Sequence, residues 1–281
     1  MPPQPFALHS SARAHDGRAA SSPDTQNDRH FVTALARGLD VLACFRSGDA
    51  LLGNQDIAQR CGLPKSTVSR LTATLTRMDY LIHVRETSKY RLGTATLSLG
   101  SAMLSRLDVR QVARPLMQEL ADFAGAEVSL GTRDRLSMIY VENCQGHAPH
   151  AQSLDVGSRI SLITSAMGRA WLAAAPDKER TDLLAQVKQR NEARWPALHQ
   201  GLTQALHDYR TLGVTTSFGD WQKKVNAIAR GFEPGGGLPP MVINCGSAAR
   251  HVSQEMLLNE VRPRLIEMVA RIETALYKEW K

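Results

Sequence analysis

The feature that most constrains this chain is the stretch from residue 54 to residue 73, NQDIAQRCGLPKSTVSRLTA. It predicts two short helices joined by a tight turn. Gly62 falls where the chain leaves the first helix, a position that commonly requires positive φ. Pro64 suits the first turn of the next helix, where a missing N–H costs no hydrogen bond. The pattern is typical of a helix-turn-helix.

The second predicted helix has two different faces. Val68, Leu71 and Leu75 repeat at helical spacing and form a stripe for burial. The remaining face is polar and basic, which is the chemistry that bonds phosphates and base edges in a major groove. The residues predicted to contact DNA on this face are Lys65, Ser66, Thr67, Ser69 and Arg70. The alternative is a helical hairpin whose polar face is simply hydrated.

A hairpin is predicted directly after these helices. Residues 80–84 and 90–92 read as strands around a polar turn, and the second strand ends before Gly93. A cationic hairpin in this place is a wing, which gives a second contact to the DNA backbone. The residues expected to make that contact are Arg85, Lys89 and Arg91. Leu51 and Leu52 are predicted to form a short strand that pairs with the wing.

The region before the helix-turn-helix divides into a tail and a helix. Residues 1–29 are rich in Pro, Ser, Ala and Asp and hold few large apolar side chains, so a disordered tail is predicted. A helix is predicted over residues 31–45. Its residues Leu35, Leu39, Leu42 and Phe45 share one face, which we expect to pack beneath the helix-turn-helix and complete a three-helix core.

The positive charge of the chain is concentrated around these elements. The 281 residues carry a formal net charge of +7, and residues 30–106 hold ten basic against five acidic side chains, a surplus of five. That distribution favours nucleic acid as a partner. No stretch has the length and hydropathy of a transmembrane helix, so no membrane partner is expected. Four scattered cysteines are typical of free thiols in a reducing compartment, and a cytoplasmic protein is expected.

The pattern changes after residue 93. Residues 94–107 predict a linker helix whose apolar side chains either contact a second copy of the chain or pack on the wing. From residue 108, strands and helices alternate without the regular repeat of a doubly wound sheet. This indicates an α+β fold in which helices pack on an antiparallel sheet. The predicted domains are therefore a tail at 1–29, a winged helix-turn-helix at 30–93, the linker helix at 94–107 and a second domain at 108–281.

Several segments together resemble the IclR family of bacterial transcriptional regulators. They are ALARGLDVLACF at 34–45, DIAQRCGLPKSTVSRLTATL at 56–75, YRLG at 90–93, GSRISLITSAMGRAWLAA at 157–174 and MVINCGSAAR at 241–250. The resemblance covers about residues 30–278. It implies a dimeric or tetrameric regulator of a nearby catabolic operon, with a GAF-like effector-binding and oligomerisation domain after the linker. The last segment is most similar to the branch that regulates aromatic-acid catabolism.

The resemblance also implies where a small-molecule effector binds. The residues assigned to it by match to the family's loop are Thr164, Ser165, Ala166, Met167 and Gly168. Asp220, Cys245 and Ser247 are added because they are expected on the facing strands and loops. There is also an independent physical reason for residues 164–168, because backbone N–H groups at the start of a helix bind anions. The expected effector is a small organic acid, and the similarity of the last segment suggests an aromatic one. One departure from the family pattern is Arg230-Gly231, where the family usually has a small residue and a proline.

Two other functional classes stay open. A small-molecule enzyme with an appended DNA-binding-like domain would need a catalytic dyad, and the sequence offers neither a nucleophile elbow nor a Ser-His-Asp order. A DNA-architectural protein would bind without sequence preference. Cys144, His147 and His150 have the spacing of a metal cluster, but no fourth ligand is evident nearby. No catalytic residue, cofactor or metal is therefore predicted.

Overall fold

The structure is a computed structural model, and it describes residues 30–46, 48–105, 107–146 and 154–279. For residues 278 and 279 it describes the backbone only. The tail predicted at residues 1–29 lies outside the described residues. The chain divides into two compact units between Met103 and Leu104. Within the described ranges, no helix combines the length and the hydropathy that crossing a membrane requires.

The first unit is a helix-turn-helix with a wing, as predicted. Its elements are α1 Thr33–Ala43, α2 Asn54–Cys61, α3 Lys65–Arg77, β1 Leu81–Val84, β2 Lys89–Leu92 and α4 Thr94–Leu104. The two strands are antiparallel. Leu52 forms an isolated antiparallel bridge with Tyr90, which confirms the predicted contact between the Leu51-Leu52 segment and the wing.

The turn between α2 and α3 follows from its two special residues. Gly62 ends α2 with a φ of 65°, where a side chain would be strained, and its N–H donates to the Ala58 carbonyl. Pro64 has a ψ of 142° and lies one residue before the helix, which starts at Lys65. The prediction that Pro64 occupies the first helical turn is therefore wrong by one position, because its extended ψ is that of a flanking residue.

The predicted face of α1 is wrong in part. Leu42 and Phe45 pack against the small core of this unit, but Leu35 and Leu39 are 62% and 54% exposed. The fully buried residue of this helix is Val41. The reason is that only the C-terminal half of α1 is covered, whereas residues 31–35 are exposed throughout.

The second unit is built on a six-stranded antiparallel sheet with the strand order β5-β4-β3-β8-β7-β6. The strands are β3 Glu127–Asp134, β4 Ser137–Gln145, β5 Arg159–Ser161, β6 Thr215–Phe218, β7 Val225–Phe232 and β8 Met241–Ala248. The α-helices are α5 Asp108–Ala124, α6 Ala166–Ala174, α7 Asp177–Arg190, α8 Trp195–Leu212, α9 Gln254–Met256 and α10 Arg262–Glu279. Glu192–Arg194 is 3₁₀-helical and Leu257–Val261 is π-helical. The predicted α+β class with an antiparallel sheet is confirmed.

The two faces of this sheet pack on different helices because side chains alternate along each strand. One face lies on α5 and α10 and forms a sealed apolar core. Its members include Val128, Leu130, Ile243, Cys245 and Val269. The other face is covered by α6 and α8. Its core members include Met138, Trp171, Leu202 and Val242.

The Arg230-Gly231 departure is explained by packing. At Gly231, a Cβ atom would lie 3.1 Å from both the Ala170 carbonyl oxygen and the Ala174 Cβ atom, so glycine lets α6 approach the sheet closely. The Arg230 guanidinium donates to the carbonyl of Gly213, 2.6 Å away, at the end of α8. Both residues therefore serve the fold of the second unit.

Candidate functional site

The polar face of α3 lies on the surface of the first unit. Lys65, Ser66, Ser69 and Arg70 are exposed and Thr67 is half-buried, while Val68 between them is fully buried. The Lys65 ammonium donates to Gln55 Oε1 at 3.2 Å, and Ser69 Oγ accepts from Asn54 Nδ2 at 3.2 Å. The start of α2 thus braces the start of α3, and the predicted DNA contacts share one outward surface.

The wing presents its cations in the same outward manner. Lys89 and Arg91 are two residues apart on β2, so they point to one face, whereas Tyr90 between them packs against the core. Arg85 lies in the turn of the hairpin, and all three cations are exposed. The rings of Tyr90 and His83 lie 4.9 Å apart, which ties the two strands together. The three predicted wing cations are therefore all accessible on the surface of the first unit.

A cavity of about 250 Å³ opens on the α6 side of the sheet in the second unit. Pockets for drug-sized ligands span roughly 300–1,000 Å³, so this one suits a smaller molecule. A wider depression of about 560 Å³ lies beside α7. It is an open surface between charged side chains, and one of them, Arg133, is paired with Glu179 at 2.9 Å. The cavity on the α6 side is the more enclosed of the two and is the better candidate for a ligand site.

The floor of the cavity follows one row across four strands. Glu127 on β3 lies opposite Gly246 on β8, Gly246 opposite Ala227 on β7, and Ala227 opposite Ser217 on β6. The two small residues in the middle create the space. A Cβ atom on Gly246 would lie only 2.9 Å from the Ala227 Cβ atom. The floor is therefore small and apolar at its centre and polar at both ends.

The start of α6 forms the wall above Ser217. Ser165 caps the helix, and its Oγ accepts from the Gly168 N–H at 3.0 Å. The Ser217 hydroxyl donates to the Thr164 carbonyl at 2.8 Å and so fixes this loop on β6. Ala166 is the first helical residue and lines the cavity. Because the first N–H groups of a helix lack an intrahelical acceptor, this end of the cavity can bind an anion.

Six of the eight predicted effector residues lie at the cavity or in the packing of α6 beside it. Ser165, Ala166 and Ser247 line the cavity, and Thr164 holds the adjoining loop through its carbonyl. Met167 and Gly168 instead lie in the packing of α6 on the sheet. Met167 is fully buried, and a Cβ atom on Gly168 would clash with the Leu162 carbonyl. These two residues position the loop and do not line the cavity.

Cys245 faces away from the cavity. Its neighbours Asn244 and Gly246 line the cavity, and alternation along β8 turns Cys245 to the core against α5 and α10. Burial, and to a lesser degree the charge of Glu127, raises the pKa of the Cys245 thiol to about 12. The thiol is therefore a core side chain that stays protonated.

Asp220 lies in an ion pair beside the cavity. The side chain of Arg169 on α6 is 5% exposed, and its guanidinium donates to Asp220 Oδ2 at 2.6 Å. It also donates to the carbonyl oxygens of Ile163 and Thr216. This network ties the loop before α6 to β6 and to the following loop, whose Trp221 lines the cavity. Asp220 therefore positions the wall and is not part of it.

Several cavity residues were not predicted from the sequence. They are Glu127, Tyr140, Ser217, Lys224, Asn244 and Arg250. Burial is the main cause that raises the pKa of the Tyr140 phenol, and the charge of Glu127 adds to it. A signal for Glu127 was present in the sequence. Glu127 and Ser129 are polar residues that alternate with the apolar Val128 and Leu130 on one strand, which indicates a polar interior face.

The suggested metal cluster is not assembled by the described residues. His147 and His150 lie outside them, and Cys144 is 2% exposed in the core against α5. Among the residues that the structure describes, no group of three or more His, Cys, Asp or Glu side chains could hold a metal ion.

Family comparisons divide the chain in the same order. Residues 34–84 match the IclR helix-turn-helix domain, and residues 101–236 match the bacterial transcriptional regulator IclR C-terminal domain. Over 248 residues the chain is 31% identical to the HTH-type transcriptional regulator TsaQ1/TsaQ2 of Comamonas testosteroni. That match covers 88% of this chain and 89% of the relative.

Solved structures share the fold. An IclR family transcriptional regulator from Brucella abortus is 46% identical with a TM-score of 0.83, over 88% of this chain and 94% of that one. An IclR homolog from Microbacterium hydrocarbonoxydans, complexed with 4-hydroxybenzoate, is 21% identical with a TM-score of 0.66. The match covers 88% of this chain and the full length of that homolog. At that identity the likeness concerns the fold alone.

Proposed function

Because this chain belongs to the IclR family of bacterial transcriptional regulators, we propose that its effector is a small organic acid held in the cavity of the second unit. The chain is a DNA-binding transcriptional regulator that responds to a ligand. The observation that carries the effector proposal is the start of α6, which forms one wall of the cavity. A helix start combines unpaired N–H groups with a positive dipole end, and both favour a carboxylate.

The charges at the rim of the cavity support an acid as the ligand. Lys224 and Arg250 both line it and are exposed. They are held near each other because the Ala249 N–H donates to the Lys224 carbonyl at 2.8 Å. Two cations at the entrance raise the local concentration of an anionic ligand. The complex of the Microbacterium protein makes hydroxybenzoates the first compounds to test.

For DNA binding, we further propose that α3 enters a major groove of operator DNA. Lys65, Ser66, Thr67, Ser69 and Arg70 would meet base edges and phosphates, while Arg85, Lys89 and Arg91 of the wing would hold the backbone. Seven of these eight side chains are exposed on one unit and Thr67 is half-buried, which supports the assignments. The target would be a catabolic operon.

A homo-oligomer is part of the proposal. Large apolar side chains are exposed on α1 and on α4, the proposed linker helix. They are Leu35, Leu39, Leu97, Leu99 and Met103. Several large apolar side chains exposed on one unit favour a surface that a partner covers. A second copy of the chain covering it would set two recognition helices about 34 Å apart on a near-palindromic site. Sedimentation of Leu39→Glu would then show loss of the dimer, whereas an unchanged mass would exclude α1 from the contact.

The relatives are named as regulators, which supports a non-enzymatic role over the enzyme alternative. The direct test of the effector proposal is a thermal-shift screen of the full chain against small carboxylates. A bound acid raises the melting temperature by an amount that grows with the logarithm of its concentration once that concentration exceeds Kd. The same screen with matched neutral amides gives no shift if the start of α6 reads the charge. Equal shifts from acids and amides would contradict the proposal.

A further inference from the structure

Two of the four cysteines lie side by side in the first unit, at the ends of two helices. Cys44 caps the C-terminus of α1, and Cys61 is the last residue of α2. Their thiols form a hydrogen bond with each other. The Asp40 carbonyl oxygen accepts from the Cys44 N–H at 3.0 Å and lies 3.5 Å from Cys61 Sγ. The two sulfur atoms are therefore neighbours, although the cysteines belong to different helices.

An arginine holds the two helix ends together. The Arg60 guanidinium donates to the Cys44 carbonyl at 2.9 Å and to Asp49 Oδ1 at 3.0 Å. Because Arg60 directly precedes Cys61, these bonds fix the end of α2 against the end of α1. Both cysteines also pack against the core of this unit. The fold therefore keeps the two thiols in contact.

We propose that Cys44 and Cys61 are an oxidation site, at which hydrogen peroxide forms a disulfide that weakens DNA binding by the first unit. The formation of the disulfide is independent of the proposed function, whereas its effect on DNA rests on that function. The site gives the regulator a second control, separate from the cavity of the second unit.

The surroundings give the two thiols different roles. The pKa of the Cys61 thiol is lowered, chiefly by the hydrogen bond from Cys44 and in part by the charge of Arg60, although burial and the charge of Asp40 oppose this. The pKa of the Cys44 thiol is raised, chiefly by the same hydrogen bond and by burial. Because the thiolate is the nucleophile, Cys61 reacts first. Both residues are half-buried, so a molecule as small as peroxide can reach them.

The oxidation takes two steps. The Cys61 thiolate attacks one oxygen of hydrogen peroxide, so that an S–O bond forms, the O–O bond breaks and hydroxide leaves, which makes Cys61 a sulfenic acid. The Cys44 sulfur then attacks the Cys61 sulfur, the S–S bond forms, the S–O bond breaks and a second hydroxide leaves. The protons of the two thiols convert the hydroxides to water. One peroxide is reduced to two waters while two thiols are oxidised to one disulfide.

The other two cysteines have the opposite setting. Cys144 is 2% exposed and Cys245 is fully buried, both in the core of the second unit. Burial is the main cause that raises the pKa of each thiol. A buried thiol that stays protonated reacts poorly with peroxide, so these two cysteines serve as internal controls.

The disulfide lies close to the recognition helix in the chain. It brings two sulfur atoms to about 2.0 Å, closer than two hydrogen-bonded thiols, so the ends of α1 and α2 must move. On the α2 side the chain continues through Gly62 into the turn, and α3 starts at Lys65. Because a closely packed core transmits such a shift, we expect the start of α3 to move as well. The contacts of its polar face with DNA are then weakened.

Mass spectrometry of the full chain after treatment with hydrogen peroxide tests the oxidation site. Trypsin releases the two cysteines on separate peptides, GLDVLACFR with Cys44 and CGLPK with Cys61. The two peptides should be recovered as a disulfide-linked pair that dithiothreitol separates. In Cys44→Ser the reaction should stop at the sulfenic acid of Cys61, which dimedone traps. The matched control Cys144→Ala should give the linked pair as the wild type does.

Fluorescence anisotropy with operator DNA measures the consequence. The oxidised wild type should bind at least about fivefold more weakly than the reduced protein, which is the scale of one lost base contact. Dithiothreitol should restore the affinity, and Cys61→Ser should bind equally with and without peroxide. The reversal in the wild type needs no variant, so the test holds even if a substitution prevents folding.

The outcomes separate the two parts of the inference. If the linked peptides do not form, the oxidation site is overturned. If they form and the DNA affinity is unchanged, the disulfide does not control DNA binding and that part is wrong. If the reduced wild type binds no operator DNA, the proposed DNA function fails, while the linked peptides still decide whether the oxidation site exists.

Discussion

The two units of this regulator place their functional groups in opposite settings. In the first unit, the proposed DNA contacts such as Arg70 and Lys89 are exposed side chains around a small core. In the second unit, the cavity groups Glu127 and Asn244 are 9% and 7% exposed. Exposed side chains can be changed at little cost to folding, whereas buried ones contribute to packing. Binding and stability should therefore be separable in the first unit and linked in the second.

The largest expected effect concerns the sealed face of the sheet. Ile243 is fully buried against α5 and α10, and truncation to alanine should lower the free energy of unfolding by about 3 kcal/mol. Asn244→Ala, on the cavity side of the same strand, also changes a buried side chain but one that borders open space, and it should cost less, about 1 kcal/mol. All four tryptophans lie beyond residue 170, so urea denaturation followed by tryptophan fluorescence reports on the second unit. Equal losses from both variants would contradict the distinction between the two faces.

The next effect sharpens the contrast with the first unit. Arg70→Ala should weaken binding to operator DNA by about 1–3 kcal/mol, because a base contact is lost, while stability changes by less than about 0.5 kcal/mol. Fluorescence anisotropy with the intergenic DNA upstream of the gene measures the first quantity, and thermal unfolding measures the second. Arg37→Ala on α1 is the matched control, since this arginine is also exposed. An equal loss of affinity from both variants would reduce the role of Arg70 to bulk charge.

A smaller effect is expected at the wing. Lys89→Ala should weaken DNA binding by less than about 1 kcal/mol and in the same proportion for every sequence. Because one phosphate contact disappears, the negative slope of log affinity against log salt should become less steep by about 1. Anisotropy titrations at several salt concentrations measure that slope. An unchanged slope would mean that Lys89 does not neutralise a phosphate.

The elements with local causes were predictable from the sequence. Gly62 specifies a left-handed turn and its neighbours have helical periodicity, so α2, α3 and the connection between them follow from a short stretch of chain. The wing follows in the same way from two short strands. The exposure of Leu35 and Leu39 was not predictable, because it depends on how much of α1 is covered by the neighbouring elements.

The cavity was only partly predictable for a related reason. Its open floor depends on Gly246 and Ala227, which lie far apart in the sequence and meet through strand pairing. Whether Asn244 or Cys245 faces the cavity depends on which helices cover each side of β8. The family segment at residues 157–174 identifies the loop before α6, but it gives no information about which residues line the opposite end of the cavity. Glu127 was missed because that wall belongs to a strand with no motif of its own.

In this regulator, the cavity in the second unit is expected to control the DNA affinity of the first. Ala227→Leu tests it most directly, since Ala227 forms the middle of the cavity floor and a larger side chain would fill the space. The measurement is DNA affinity by anisotropy, with increasing amounts of the acid that most raises the melting temperature. The wild type should change its apparent Kd at least severalfold, while Ala227→Leu binds DNA as the acid-free wild type does and ignores the acid. A variant that responds to the acid as the wild type does would contradict the account.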